Sequence, residues 1–174
     1  MSRNGIPTKP NKTEKATAAD SVFTKNTTAK WIVDYFKAQG SILEPAAGEN
    51  AFYNLFDNEE KYRCEITDGL DFFEWDKKVD WIITNPPYSI ATDFVIHALE
   101  CSSNVAMLLK IQFLEGVARY DFFKNNPPKQ VFVFSKRLQI VKNGESMKNS
   151  TMMCFAWFVW EKGFKGSPSI DWIL

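Results

Sequence analysis

The chain has 174 residues, 45% of them hydrophobic and 24% charged. That length fits one domain, and the balance excludes a disordered chain, a collagen-like repeat and a small disulfide scaffold. Basic and acidic side chains number 21 each, so the whole molecule carries no net charge to attract a polyanion. The distribution is uneven: residues 1–30 carry net +4, residues 31–109 net −9 and residues 110–165 net +6. A basic C-terminal third can present one basic face on a neutral molecule. No apolar run approaches the roughly 18 residues of a membrane span, and the first 20 residues lack the apolar stretch of a secretory signal. Cys64, Cys101 and Cys154 lie far apart, without metal-ligand spacing, and read as reduced core thiols of a cytoplasmic protein. No metal is expected.

In chain order, residues 1–20 are polar and proline-containing and read as a flexible tail; residues 21–174 are expected to form a single domain. Trp31, Ile32, Tyr35 and Phe36 fall at helical spacing, with Thr27 or Thr28 as N-cap and Gly40 as the stop. A short strand is expected over 41–43, a helix over 51–56 and a second strand over 62–66. Strands follow at 79–84, 105–111, 131–134 and 153–160. Helices are expected over 93–101 and 113–124, with a basic loop over 136–150. Strands alternating with helices predict βαβ units and a mainly parallel sheet, and the near-continuous apolar strands suit one covered on both faces.

Two segments carry chemistry. The first is Asn85-Pro86-Pro87-Tyr88, directly after the buried strand VDWIIT. Ligands of open α/β sheets bind beyond the carboxyl ends of strands. An exocyclic amine on an aromatic base is a poor nucleophile because its lone pair is delocalised into the ring. Two acceptors aimed at its N–H groups favour a tetrahedral nitrogen. The Asn85 side-chain oxygen and the Pro86 carbonyl suit that task, Pro86 and Pro87 stiffen the loop, and Tyr88 offers a face for stacking. The second is Glu44-Pro45-Ala46-Ala47-Gly48-Glu49-Asn50, a strand end running into a turn of small residues that lets a ligand approach the backbone. Glu44 can take an ammonium group or ribose hydroxyls. About 20 residues on, Glu65 closes the second strand, where an acid can accept both hydroxyls of a ribose. His97, alone on a helix, reads as a packing residue. Trp81, Trp157 and Trp160 read as core.

EPAAGEN followed by ITNPPY resembles the Rossmann-like, class I S-adenosylmethionine (SAM)-dependent amino-methyltransferases, in the motif order of the gamma group of DNA adenine-N6 methyltransferases. Ser89, FLEG (113–116) with Arg119, and AWFVWEKG (156–163) resemble compact phage and prophage members. The resemblance spans about residues 22–174. It implies an α/β fold with a mainly parallel sheet and an antiparallel last strand. It implies SAM as cofactor, with Phe23 and Thr24 at its methionine end, Glu44 at its ammonium group, and the turn of Pro45, Ala46 and Gly48 lining the pocket. Glu65 would hold the ribose, Asp71 and Phe72 would meet the adenine ring of SAM, and Asn85 would border the cofactor. Asn85, Pro86, Pro87 and Tyr88 would hold the target amine, and Arg119, Lys136, Arg137, Lys142 and Lys148 would lie near the nucleic acid, DNA first.

Three departures shape the expectations. Asn50 stands where the family often has a glycine, and asparagine tolerates left-handed geometry better than most residues. Only five residues separate Glu65 from Asp71, so the third strand region should be shortened, and Asp68 competes for the neighbouring roles. No target-recognition domain fits in this length, which leaves specificity to loops, a specificity partner or a homodimer. The rival readings are methylation of RNA adenine, of cytosine N4 or of a protein glutamine, and a weakly active accessory protein that binds SAM or nucleic acid.

Overall fold

The computed structural model describes residues 26–136, 138, 141–142, 145–146 and 153–174. The expected tail, with Phe23 and Thr24, and the basic residues Arg137 and Lys148 lie outside the described residues.

Helix α1 (Asn26–Phe36) buries Ala29 and Ile32 on one stripe, as its apolar spacing requires. It stops earlier than Gly40, because Lys37 takes a left-handed conformation (φ 44°). Gly40 serves the next turn, with φ 84° and no room for a Cβ beside the carboxylate of Asp80. That carboxylate accepts hydrogen bonds from the backbone N–H and hydroxyl of Ser41 at 2.8 and 2.9 Å. The two bonds hold its pKa below the ordinary aspartate value and tie the start of β1 (Ile42–Glu44) to the third strand.

β2 (Lys61–Arg63) and β3 (Val79–Thr84) flank β1, both parallel to it. α2 (Ala91–Cys101) leads directly into β4 (Ser102–Lys110), parallel to β3. α3 (Tyr120–Asn125) and β5 (Gln130–Phe134) follow. β6 (Val141–Lys142) and β7 (Glu145–Ser146) form a separate two-stranded antiparallel sheet. β8 (Phe155–Glu161) inserts antiparallel between β4 and β5, and β9 (Ser169–Ile173) lies parallel to β5 at the edge. The seven-stranded sheet has the order β2-β1-β3-β4-β8-β5-β9. It is a mainly parallel α/β sheet of the Rossmann-like kind, with the expected antiparallel strand.

Four details differ from the sequence reading. The segment 51–56 holds only a 3-10 turn at Tyr53–Leu55, anchored by Phe52 and Phe56 in the core. The segment 113–124 is broken into turns at Ile111–Leu114 and Val117–Arg119 before the short α3, because Gly116 (φ 113°) interrupts it. The sheet does not end at the apolar strand 153–160, since β9 adds an edge strand that lacks its strong apolar pattern. Cys154 is exposed, whereas Cys64 and Cys101 are buried as expected. The third strand region is shortened: 3-10 turns at Ile66–Asp68 and Phe72–Glu74 replace a βα unit.

Alternation along the strands splits the core into two layers. On one face Ile42, Ile83, Leu108 and Trp157 pack with Ala29, Ile32, Phe52 and Phe56. On the other, Ile82, Met107, Phe158 and Trp160 pack with Phe72, Phe94 and Phe113. Trp157 and Trp160 are fully buried, and Trp81 is half-buried at the margin. Among the described residues no helix is long and apolar enough to cross a membrane.

Candidate functional site

β1, β3, β4 and β5 point the same way, so their carboxyl ends share one rim with that of β2. In order along it stand Glu65 after β2, Glu44 at the end of β1, Asn85 after β3 and Lys110 at the end of β4. The chain leaves β1 to pair on one side with β2 and on the other with β3, so the rim between Glu44 and Asn85 is the switch point where open sheets bind ligands.

The turn after β1 is held by the end of β2. Cys64 N–H donates to the Glu44 carbonyl at 2.9 Å and Ala47 N–H donates to the Cys64 carbonyl at 3.0 Å, extending the β1–β2 ladder past both strands. Gly48 (φ 48°) and Asn50 (φ 62°) are both left-handed, which turns the chain back within three residues. Asparagine thus does at position 50 what a second glycine would do. Glu65 spans this turn: one carboxylate oxygen accepts from Gly48 N–H at 2.7 Å, the other from the Thr67 N–H and hydroxyl at 3.1 and 2.9 Å. Its carboxylate is half-buried at the mouth of the turn.

Glu44 is only 1% exposed, and its carboxyl accepts from Tyr53 N–H at 2.6 Å. Burial pushes its pKa up to about 8, against the backbone N–H groups of Tyr53 and Phe52 and the charge of Arg63, which pull it down. Glu44 therefore fastens the 53–55 turn beneath the Gly48 turn. Lys61 fastens the same turn by donating to the Phe56 carbonyl at 3.0 Å. Pro45 and Ala46 lie between these anchors, Pro45 buried and Ala46 half-buried. Asp71 caps the next turn by accepting from Phe73 N–H at 3.0 Å. Phe72 is buried, 4.9 Å from Phe94 and 4.7 Å from His97, centroid to centroid. His97 is a packing residue, with Nε2 3.1 Å from the Trp75 carbonyl oxygen. Asp68 pairs with Arg63 at 2.8 Å across an exposed surface.

Asn85 follows β3 with no intervening residue and is half-buried; Pro86 is buried behind it. Pro87 opens a 3-10 turn, Tyr88–Ile90, that runs into α2, so Tyr88 is set by a rigid loop and a helix start. The Tyr88 ring packs 5.7 Å from Phe155, and the Lys110 ammonium lies 4.8 Å from its centroid.

The candidate nucleic-acid residues are placed unequally. Lys136 is exposed two residues past β5, on the same rim as Asn85. Lys142 lies in the β6–β7 pair, where only the backbone is described. Arg119 turns inward: its guanidinium donates to the carbonyls of Phe113 at 2.8 Å, Gln112 at 3.2 Å and Glu115, and stacks over the Phe113 ring. It holds the FLEG turn, and Phe113 of that turn is core, 5.7 Å from Phe158 and 5.6 Å from Phe123. Sequence reasoning missed Lys110; its signal was one charge closing an otherwise apolar strand, VAMLLK.

The fold has solved counterparts. A candidate RNA methyltransferase from Pyrococcus horikoshii aligns with TM-score 0.59 and 14% identity, over 79% of this chain and 82% of that one. The tRNA m1G37 methyltransferase of M. jannaschii aligns with TM-score 0.57 and 11% identity, over 83% of this chain and 52% of that one. A type I restriction-modification methyltransferase subunit from Streptococcus thermophilus aligns with TM-score 0.56 and 14% identity, over 82% of this chain and 44% of that one. The chain shares its fold with these methyltransferases. It spans about half the length of the latter two proteins. No family model matches the sequence, and no curated protein matches it.

Proposed function

We propose that this protein transfers a methyl group from SAM to the exocyclic N6 amine of adenine in DNA. The observation that carries the reading is the position of Asn85-Pro86-Pro87-Tyr88: directly at the carboxyl end of a central strand, beside the switch point and the glycine turn.

The residues at the turn fit SAM. Left-handed turns at Gly48 and Asn50 and the small residues Ala46 and Gly48 allow a ligand to approach the backbone closely. Glu65 stands at the mouth of that turn with three hydrogen bonds already holding its carboxylate, and its remaining acceptor site is proposed for a ribose hydroxyl. Glu44 supports the turn from behind, and Asp71 sets the path of the chain on the far side. Phe23 and Thr24 are proposed for the methionine end. When bound, SAM supplies an electrophilic methyl group on a sulfonium centre.

The rest belongs to this chain's own residues. The side-chain oxygen of Asn85 and the carbonyl of Pro86 accept the two N–H groups of the target amine and localise the nitrogen lone pair. Tyr88 holds the base by its face, and the rigid loop fixes its distance from the turn. The loop so holds the nitrogen in line for the methyl carbon that bound SAM would offer; as the nitrogen–carbon bond formed, the carbon–sulfur electron pair would stay on sulfur and one amine proton would pass to solvent. A base in a duplex has to be extruded from the stack first. Lys136, with Arg137, Lys142 and Lys148, is proposed to run along the phosphates.

The test offers SAM with separate pools of duplex DNA, single-stranded DNA, RNA and protein, followed by digestion and mass spectrometry. N6-methyladenine from DNA, lost with Asn85→Ala, is the expected result. Methyladenine from RNA alone, N4-methylcytosine or methylglutamine would replace the substrate. SAM binding without turnover in any pool would make the protein an accessory one.

A further inference from the structure

Beside Tyr88, on the side away from the glycine turn, lies a cavity of about 300 Å³. Its polar and aromatic wall is made by Tyr88, Ser89, Lys110, Gln112, Phe113 and Arg119, with Ala91 and Leu109 as its apolar remainder. Among the described residues two cations and no acidic residue line it. The two cations differ in kind. The Arg119 Nε and Nη2 are committed to the carbonyls of Gln112, Phe113 and Glu115, which makes its charge a fixed wall. Lys110 is held at its backbone by pairing with Phe155 at the end of β4, and among the described residues its side chain makes no hydrogen bond. Its ammonium rests over the Tyr88 ring, a weak contact at a half-buried site, on a stem with four rotatable bonds.

Resting on the reading of the Tyr88 loop as the target-base site, we propose that this cavity holds a backbone phosphate of the nucleic acid next to the target nucleotide, with Lys110 as the residue that binds it. A base stacked on Tyr88 brings its own phosphodiester to the edge of that ring. The ammonium gains a charge-assisted bond to a phosphate oxygen, stronger than its contact with the ring. Ser89 and Gln112 bring neutral donors to the same wall, and Arg119 adds a fixed positive field. Phosphate contacts of this kind set register and carry no sequence information. The contact also couples two tasks: Lys110 leaves the ring as the base arrives, so stacking and phosphate capture occur together.

The test uses the full chain and an adenine-containing oligonucleotide with one neutral methylphosphonate placed in turn at each of the two phosphates on either side of the target. Lys110→Met keeps the side-chain length and removes the charge; Lys110→Arg restores it. At one position the methylphosphonate should raise KM of the unmodified protein about tenfold and leave kcat within twofold. Lys110→Met should show the same tenfold rise on the normal oligonucleotide and no further loss with the methylphosphonate, and Lys110→Arg should recover most of it. The slope of log affinity against log salt should fall by about 0.7 to 0.9 in Lys110→Met. Equal sensitivity of both proteins at every position, or an unchanged salt slope, overturns the phosphate site while leaving the base site standing. Absence of methylation of any nucleic acid by the unmodified protein overturns the underlying reading and the phosphate site with it.

Discussion

Replacing Glu44 by glutamine should change how stability depends on pH. The carboxyl is 1% exposed and its pKa lies near 8, against an ordinary glutamate value of 4.5. Between those values the folded state holds a proton that the unfolded state has released. Unfolding therefore releases about one proton, and stability falls as pH rises through the whole interval. The slope is roughly 1.4 kcal/mol per pH unit, or about 2 kcal/mol between pH 5.5 and 7. The Glu44→Gln side chain has nearly the same shape, keeps an oxygen for the Tyr53 N–H and does not titrate. Urea unfolding of both proteins at several pH values reads the effect. The variant's stability minus that of the unmodified protein should rise by about 2 kcal/mol from pH 5.5 to 7, whatever its absolute offset. Curves that stay parallel over that range would show that Glu44 is not a buried, neutral carboxyl, and the account of the turn beneath Gly48 would fail.

Other expectations address single residues. Asn85→Ala should abolish methyl transfer and leave SAM affinity within about threefold, because the side chain addresses the target amine; isothermal calorimetry beside a turnover assay checks this, and retained turnover would refute the mechanism. Arg119→Lys should destabilise the protein by roughly 1–3 kcal/mol in urea unfolding, since an ammonium cannot span three carbonyls as a planar fork does; unchanged stability would return Arg119 to the surface. The Thr84 hydroxyl is fully buried with no hydrogen-bond partner among the described residues, so Thr84→Val should hold or raise the melting temperature, and a fall of several degrees would mean that the hydroxyl is bonded.

Much of this architecture was legible in the sequence because it is local. The apolar runs at 79–84 and 105–111 needed only their own β-branched and apolar content to read as buried strands. The placement of NPPY after VDWIIT followed from adjacency. The left-handed turn at Asn50 followed from the intrinsic tolerance of asparagine, and the five-residue gap between Glu65 and Asp71 left no length for a helix. Each of these is set by residues within about ten positions of one another.

The tertiary structure decided what depends on distant partners. β9 forms because β5 offers an edge; its own sequence, SIDWI, is short, and its first four residues stay exposed in the sheet. Glu44 is buried because the 53–55 turn folds over it. Arg119 gives three of its N–H groups to carbonyls of the broken segment 111–119. Lys110 meets Tyr88 across 22 residues because β3 and β4 are parallel neighbours whose ends share a rim. Sequence fixes where the backbone can turn and which faces are apolar, since those are properties of single residues and their period. Which charge meets which partner depends on pairing and register between segments far apart in the chain, and no local pattern encodes that.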